Sequence, residues 1–139
     1  MLRRAHQISV AVFLEETSAL GVTASQYGAL YVLARIEGLD IAGLGRRLGM
    51  DRSTSALVAA KLEAAGWIVV QARPADRRRK VLALTPAGRQ MLDALSVPAR
   101  KARDRLLSAF TPEEAAMFLA LLDKFVTTFN GAIRTPIGS

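Results

Sequence analysis

The stretch Arg73-Pro74-Ala75-Asp76-Arg77-Arg78-Arg79-Lys80 limits the fold more than any other, with five cations and one anion in eight residues. A β-prone run precedes it, Trp67-Ile68-Val69-Val70-Gln71-Ala72, and another follows it, Val81-Leu82-Ala83-Leu84-Thr85. Both are strand length, and a Pro-containing polar segment parts them, so the expectation is a β-hairpin with a long tip. Cations crowded on one loop repel each other and bury nothing. The loop can be a solvated charged turn, or it can meet a polyanion.

The elements before the hairpin are helical. Residues 2–19 read as one helix with His6, Val10 and Phe13 on one stripe and Ile8 and Val12 on another. A helix apolar on two sides is normally buried between two surfaces. Gly21 ends it. Thr23 and Gln26 form a capping box for a second helix, with Val22 and Tyr27 as its staple. That helix runs to about Ile36 and places Tyr27 and Tyr31 on one face. Asp40 caps a third helix, Ile41 to Leu48, ended by Gly49. Asp51 caps a fourth, Arg52 to Ala65, ended by Gly66. Two short helices around a tight Gly-containing turn are a helix-turn-helix. Followed at once by a hairpin, they make a winged helix. Thr85-Pro86 opens a fifth helix, kinked near Pro98 and running to about Phe110. Thr111 and Glu114 box the start of a last helix that carries Met117, Phe118, Leu121, Leu122, Phe125 and Phe129. The tail after Gly131 is expected to fray.

Charge is concentrated where the hairpin lies. Residues 73–105 hold 10 Lys/Arg against 3 Asp/Glu, whereas residues 1–72 hold 7 against 6 and residues 106–139 hold 2 against 3. A localised basic excess is the footprint of nucleic-acid binding. The chain has no cysteine, which removes disulfides and thiolate metal sites and fits a cytoplasmic protein. No apolar run approaches the roughly 18 residues of a membrane span. One histidine and no carboxylate pair at motif spacing leave catalysis unsupported, and no metal or cofactor is expected.

At about 100° per residue, the fourth helix turns Thr54, Val58, Leu62 and Ala65 to the core and Arg52, Ser53, Ala56, Ala59, Ala60 and Glu63 outward. Alanine is a strong helix former, which alone accounts for such a face. The same small residues also let a DNA groove approach. There Arg52 suits guanine O6 and N7, Ser53 or Ser55 a base edge or a phosphate, and the alanines thymine methyls. Lys61, Arg46 and Arg47 suit phosphates.

Asp51-Arg52-Ser53-Thr54, leading to Lys61-Leu62-Glu63-Ala64-Ala65-Gly66, resembles the recognition helix of the multiple-antibiotic-resistance regulator (MarR) family. Asp76-Arg77-Arg78-Arg79-Lys80, joined to Val81-Leu82-Ala83-Leu84-Thr85-Pro86-Ala87-Gly88, resembles that family's wing signature, Asp-x-Arg, then Leu-Thr and Gly. The resemblance covers nearly the whole chain. It implies an α+β, mostly α, winged helix-turn-helix at residues 22–85. Helices at 1–20 and 86–139 would form a dimerisation core in one intertwined domain. It implies a homodimeric DNA-binding regulator, usually a repressor released by a small ligand. The implied DNA-facing set is Arg46, Arg47, Arg52, Ser53, Thr54, Ser55, Ala56 and Lys61, with Arg73, Asp76, Arg77, Arg78, Arg79 and Lys80 of the wing. Asp76 would brace the wing by pairing with Arg77 or Arg78, while a tip arginine enters the minor groove.

In the family, ligands sit among the first, second and fifth helices. The candidates here are Arg3, His6, Ser9, Val10, Phe13, Tyr27 and Tyr31, a mixture of aromatic walls and polar groups that suits a small-molecule pocket. For His6 the plain alternative is a hydrogen-bonded interface residue. Leu2-Arg3-Arg4-Ala5-His6-Gln7-Ile8 resembles regulators of aromatic-acid breakdown, which suggests an aromatic acid or its thioester as effector. Two rival readings remain. One is an effector-independent or architectural DNA-binding protein, which a ligand screen separates. The other is a winged-helix protein-interaction module, which competition by duplex DNA separates.

Overall fold

The computed structural model describes residues 1–130. The elements run α1 (Leu2–Thr17), a 3-10 turn (Ser18–Leu20), α2 (Ala24–Arg35), α3 (Ile41–Leu48), α4 (Arg52–Ala64), β1 (Ile68–Arg73), β2 (Asp76–Leu84), α5 (Pro86–Leu107) and α6 (Pro112–Asn130). The reading of the tail after Gly131 lies outside the described residues. The described chain forms two compact units. Residues 1–24 and those from Leu95 onward make one, and residues 25–94 make the other.

The second unit is a winged helix. Its core is Ala29, Leu30 and Leu33 of α2, Leu44 of α3, Val58, Ala59 and Leu62 of α4, and Ile68 and Leu82 of the hairpin. The starts of α3 and α4 follow from their caps. Asp40 Oδ1 accepts from Gly43 N at 2.7 Å and Asp51 Oδ1 from Thr54 N at 2.6 Å. These bonds satisfy main-chain donors that a first turn leaves unpaired. Between the two helices Gly49 takes the left-handed conformation, φ 66°, that turns the chain from α3 into α4.

The outward phase of α4 differs from the sequence expectation. Ser55, Val58, Ala59 and Leu62 are buried, while Thr54 and Ala65 are exposed. The close crossing of α3 and α4 accounts for Ser55. A β-carbon on Gly45 would stand 2.5 Å from Ser55 Oγ, so this side of α4 has room only for a small residue. Ser55 Oγ is satisfied by Asp51 O at 2.8 Å.

The hairpin is longer than expected and its tip shorter. Strand β2 begins at Asp76, so only Pro74 and Ala75 form the turn. Ala72 pairs with Lys80 but Arg73 pairs with Asp76, which leaves Arg77, Arg78 and Arg79 without partners on β1. The three arginines occupy a bulge rather than a free loop, where an interrupted ladder re-aims side chains. On the far edge of β2, Leu82 N donates to Leu39 O at 2.8 Å, which ties the wing to the segment before α3.

In the first unit, Thr17, Val22, Leu95 and Ala102 are buried. Arg105 of α5 bonds Glu15 at 2.9 Å and Glu16 at 3.0 Å, joining α5 to the end of α1. Within the chain α1 is not buried on two sides, since only Thr17 of it is buried and Ile8 and Leu14 are exposed. Helix α6 opens with the expected box, Glu114 N to Thr111 Oγ1 at 3.2 Å and Thr111 N to Glu114 Oε1 at 3.0 Å. It buries none of its residues. Among the described residues no single helix is long and apolar enough to cross a membrane.

Candidate nucleic-acid interface

The second unit gathers most of the cations that the sequence singles out. Arg46 and Arg47 lie in the last turn of α3, and Arg52 opens α4. All three are exposed, as are Ser53, Thr54, Ala56 and Lys61 of α4 and every residue from Arg73 to Lys80. Ser55 leaves this set, because it is buried and its hydroxyl donates to Asp51 O. Ala59 likewise leaves the outer face.

Arg46, Arg73 and Arg79 come from three different elements and line one cleft of about 170 Å³ with Gly38, Leu39, Asp40, Gly43 and Val81. Among the described residues the ion pairs are those of Arg105 alone, so these guanidiniums stay uncompensated by a carboxylate within bonding distance. Arginine presents several fixed N–H donors and matches a phosphodiester oxygen pair. Three of them border one concavity beside the wing, together with Asp40.

Asp76 does brace the wing, but by another bond than expected. Its Oδ1 accepts from the main-chain N–H of Arg78 at 3.0 Å, and it forms no ion pair with Arg77 or Arg78. The carboxylate therefore fixes the backbone of the bulge and leaves both guanidiniums free to reach outward. Asp51 plays the matching part on α4. Its bond to Thr54 N–H holds its carboxyl below the ordinary carboxylate value.

The residues proposed for an effector divide between the units. Arg3, His6 and Ser9 of α1 are exposed, and Val10 and Phe13 are half-buried. On α2 the Tyr27 and Tyr31 rings lie 6.0 Å apart and tilted by 50°. Burial pushes the Tyr27 hydroxyl pKa up. Sequence reasoning missed Arg35, whose guanidinium sits 3.4 Å from the centre of the Tyr31 ring and donates to Tyr31 O at 3.3 Å. The signal was there, since 27, 31 and 35 are spaced by one helical turn.

Known proteins share this fold. The model of the MarR family matches residues 20–79. A protein of Thauera aromatica named for regulation of the hcr operon is 32% identical over 108 residues, 78% of this chain. The match spans 65% of that relative's length. A MarR-family transcriptional regulator from Silicibacter pomeroyi has a solved structure 31% identical to this chain, with 91% of this chain and 86% of that one covered and a TM-score of 0.73. BpsR of Bordetella bronchiseptica, whose structure describes regulation of its DNA binding by 6-hydroxynicotinic acid, is 28% identical, with 89% of each chain covered and a TM-score of 0.83. With the winged helix, its capped α4 and its Asp-braced wing in place, the chain belongs to the MarR family of transcriptional regulators.

Proposed function

We propose that this protein binds a pseudo-palindromic DNA operator as a homodimer, represses transcription there, and is released by a small aromatic acid or its thioester. It would meet its DNA in the cytoplasm. The observation that carries the DNA reading is the convergence of Arg46, Arg73 and Arg79 on one cleft, in the unit that also exposes α4. A helix with small residues outward suits a major groove, and cations at its flank suit the phosphates.

The dimer reading rests on α6. Met117, Phe118, Leu121, Leu122, Phe125, Val126 and Phe129 are all exposed, between 43% and 65%. An apolar stripe of that length marks an interface, and a second copy is its simplest occupant. A two-fold protein reads a two-fold site. The effector reading draws on BpsR, which responds to an aromatic acid. Its proposed contacts in the winged-helix unit are Tyr27 and Tyr31 of α2.

Selection of bound sequences from random duplex DNA tests the proposal. The expected product is an inverted repeat with half-site centres about one helical turn, roughly 10 base pairs, apart. Enrichment of single half-sites would reject the dimer, and no enrichment would reject operator binding. Addition of aromatic acids to the bound duplex then tests the release.

A further inference from the structure

Helix α4 carries one large apolar side chain on its exposed face. Leu57 is 58% exposed. The buried residues Ser55, Val58, Ala59 and Leu62 define the inward side of the helix. At about 100° per residue, Leu57 falls nearly opposite them, on a stripe with Ser53, Ala60 and Ala64. The other three side chains of the stripe end one heavy atom beyond the α-carbon or one further. Leu57 therefore stands out furthest from it.

A single exposed leucine on a soluble protein is ordinary. The position makes this one informative. If α4 enters a major groove, this stripe faces the base edges. Leucine has no donor or acceptor, so against a polar edge it would strip water and return no hydrogen bond. Only one group on the major-groove edge is apolar, the 5-methyl of thymine.

We propose that Leu57 is a specificity-determining residue that packs on a thymine methyl and selects T·A at one position of each half-site. The inference rests on the operator-binding reading above. Serine and alanine along the stripe let the helix approach closely enough for the contact. Arg52, at the start of the helix, reads a different base pair.

The probe is the duplex that the wild-type protein selects from random DNA, with each thymine replaced in turn by deoxyuridine, which removes only the methyl. Affinity is read by fluorescence anisotropy for wild type and Leu57→Ala. Loss of one buried methyl should weaken wild-type binding about fourfold per half-site at one thymine. At that thymine Leu57→Ala should be indifferent to the replacement, and at every other thymine it should behave as wild type does. Leu57 is mostly exposed and alanine is a strong helix former, so the thermal unfolding of Leu57→Ala should stay close to wild type. Indifference of the wild type to deoxyuridine at every thymine, or equal losses in both proteins throughout, overturns the role of Leu57 and leaves operator binding standing. Failure of the wild type to select any sequence overturns both.

Discussion

The α-carbon of Gly88 lies against the main-chain carbonyl of Trp67, so that a β-carbon at position 88 would overlap the Trp67 oxygen. The same carbonyl accepts from Thr85 N at 3.0 Å. Thr85 Oγ1 donates to Gly66 O at 2.6 Å and accepts from Gly88 N at 3.0 Å. The turn after α4, the end of β2 and the first turn of α5 thus meet in one knot. This is the physical content of the Leu-Thr-x-x-Gly pattern: Thr85 caps α5 and ties it to the turn, and Gly88 lets the helix come that close.

Gly88→Ala should therefore destabilise the protein by roughly 2–4 kcal/mol, because the obstacle is backbone and cannot rotate away. Thr85→Val should cost about 1–2 kcal/mol through the lost bonds. Urea unfolding monitored at Trp67 measures both. A Gly88→Ala midpoint equal to wild type would show that the α5 start yields more easily than this packing implies.

The wing makes a prediction that separates charge from brace. Arg78→Ala should weaken DNA binding and lower the log–log salt slope by about 0.9, the share of one phosphate. Asp76→Asn keeps an acceptor for Arg78 N–H and removes a negative charge, so it should bind DNA at least as tightly as wild type. Asp76→Ala loses the brace and should bind several-fold more weakly. Equal binding by the Asn and Ala variants would remove the backbone bond from the explanation.

Much of this architecture is legible in the sequence, and the misses have physical causes. Asp40, Asp51, Thr85, Thr111 and Glu114 announce their helices because capping is local chemistry. The wing's existence is equally local, through its strand composition and Pro74. Its register is not, because whether Arg77, Arg78 and Arg79 form a tip or a bulge depends on how far β1 can follow β2. The phase of α4 fails for a similar reason. Hydrophobicity favours Thr54 and Ala65 as inward neighbours of Val58 and Leu62, but the approach of Gly45 requires a small residue at Ser55. That requirement is set by α3 and is invisible within α4. The ion pairs of Arg105 span some 90 residues of sequence and carry no local signal.

Stability should depend on Asp51 at acid pH. Its folded-state pKa lies below the ordinary value of 3.8 because the ionised carboxylate accepts from Thr54 N–H. A depressed carboxylate contributes stability above its unfolded pKa and loses it as pH falls through the folded one. Asp51→Asn keeps the cap without the titration. Thermal unfolding should show wild type the more stable near neutral pH, with the gap closing as pH falls below the ordinary carboxylate value and through the depressed one. A gap that does not change with pH would mean that the carboxylate's charge adds nothing to the cap.

The Tyr27–Tyr31–Arg35 ladder suits an aromatic acid, with rings for the ring and a cation for the carboxylate. Arg35→Ala removes an exposed cation–π contact worth about 0.5–1 kcal/mol, so the fold should survive. If α2 takes part in effector binding, Arg35→Ala and Tyr31→Ala should blunt release of DNA by aromatic acids and leave ligand-free DNA affinity nearly unchanged. Linkage requires operator DNA to weaken effector binding by the same factor. Wild-type ligand response in both variants would move the effector away from this helix.

The dimer prediction turns on α6. Its exposed apolar residues recur every three or four positions, and the Phe125 and Phe129 rings lie 5.0 Å apart, tilted by 52°, with both residues exposed. A glutamate at Leu121 and another at Phe125 would remove nothing from the core of a single chain, since both side chains are exposed there. Across a two-fold interface, however, they would bury unpaired charge, and each uncompensated carboxylate costs several kcal/mol. Leu121→Glu/Phe125→Glu should therefore keep its helical circular-dichroism signal while its mass by light scattering falls by half. Affinity for a complete inverted repeat should drop at least tenfold, because one protein then holds one half-site without its tethered partner. Affinity for an isolated half-site should stay as it was. A variant that remains dimeric would place the interface on another face and leave the apolar stripe of α6 to a different partner.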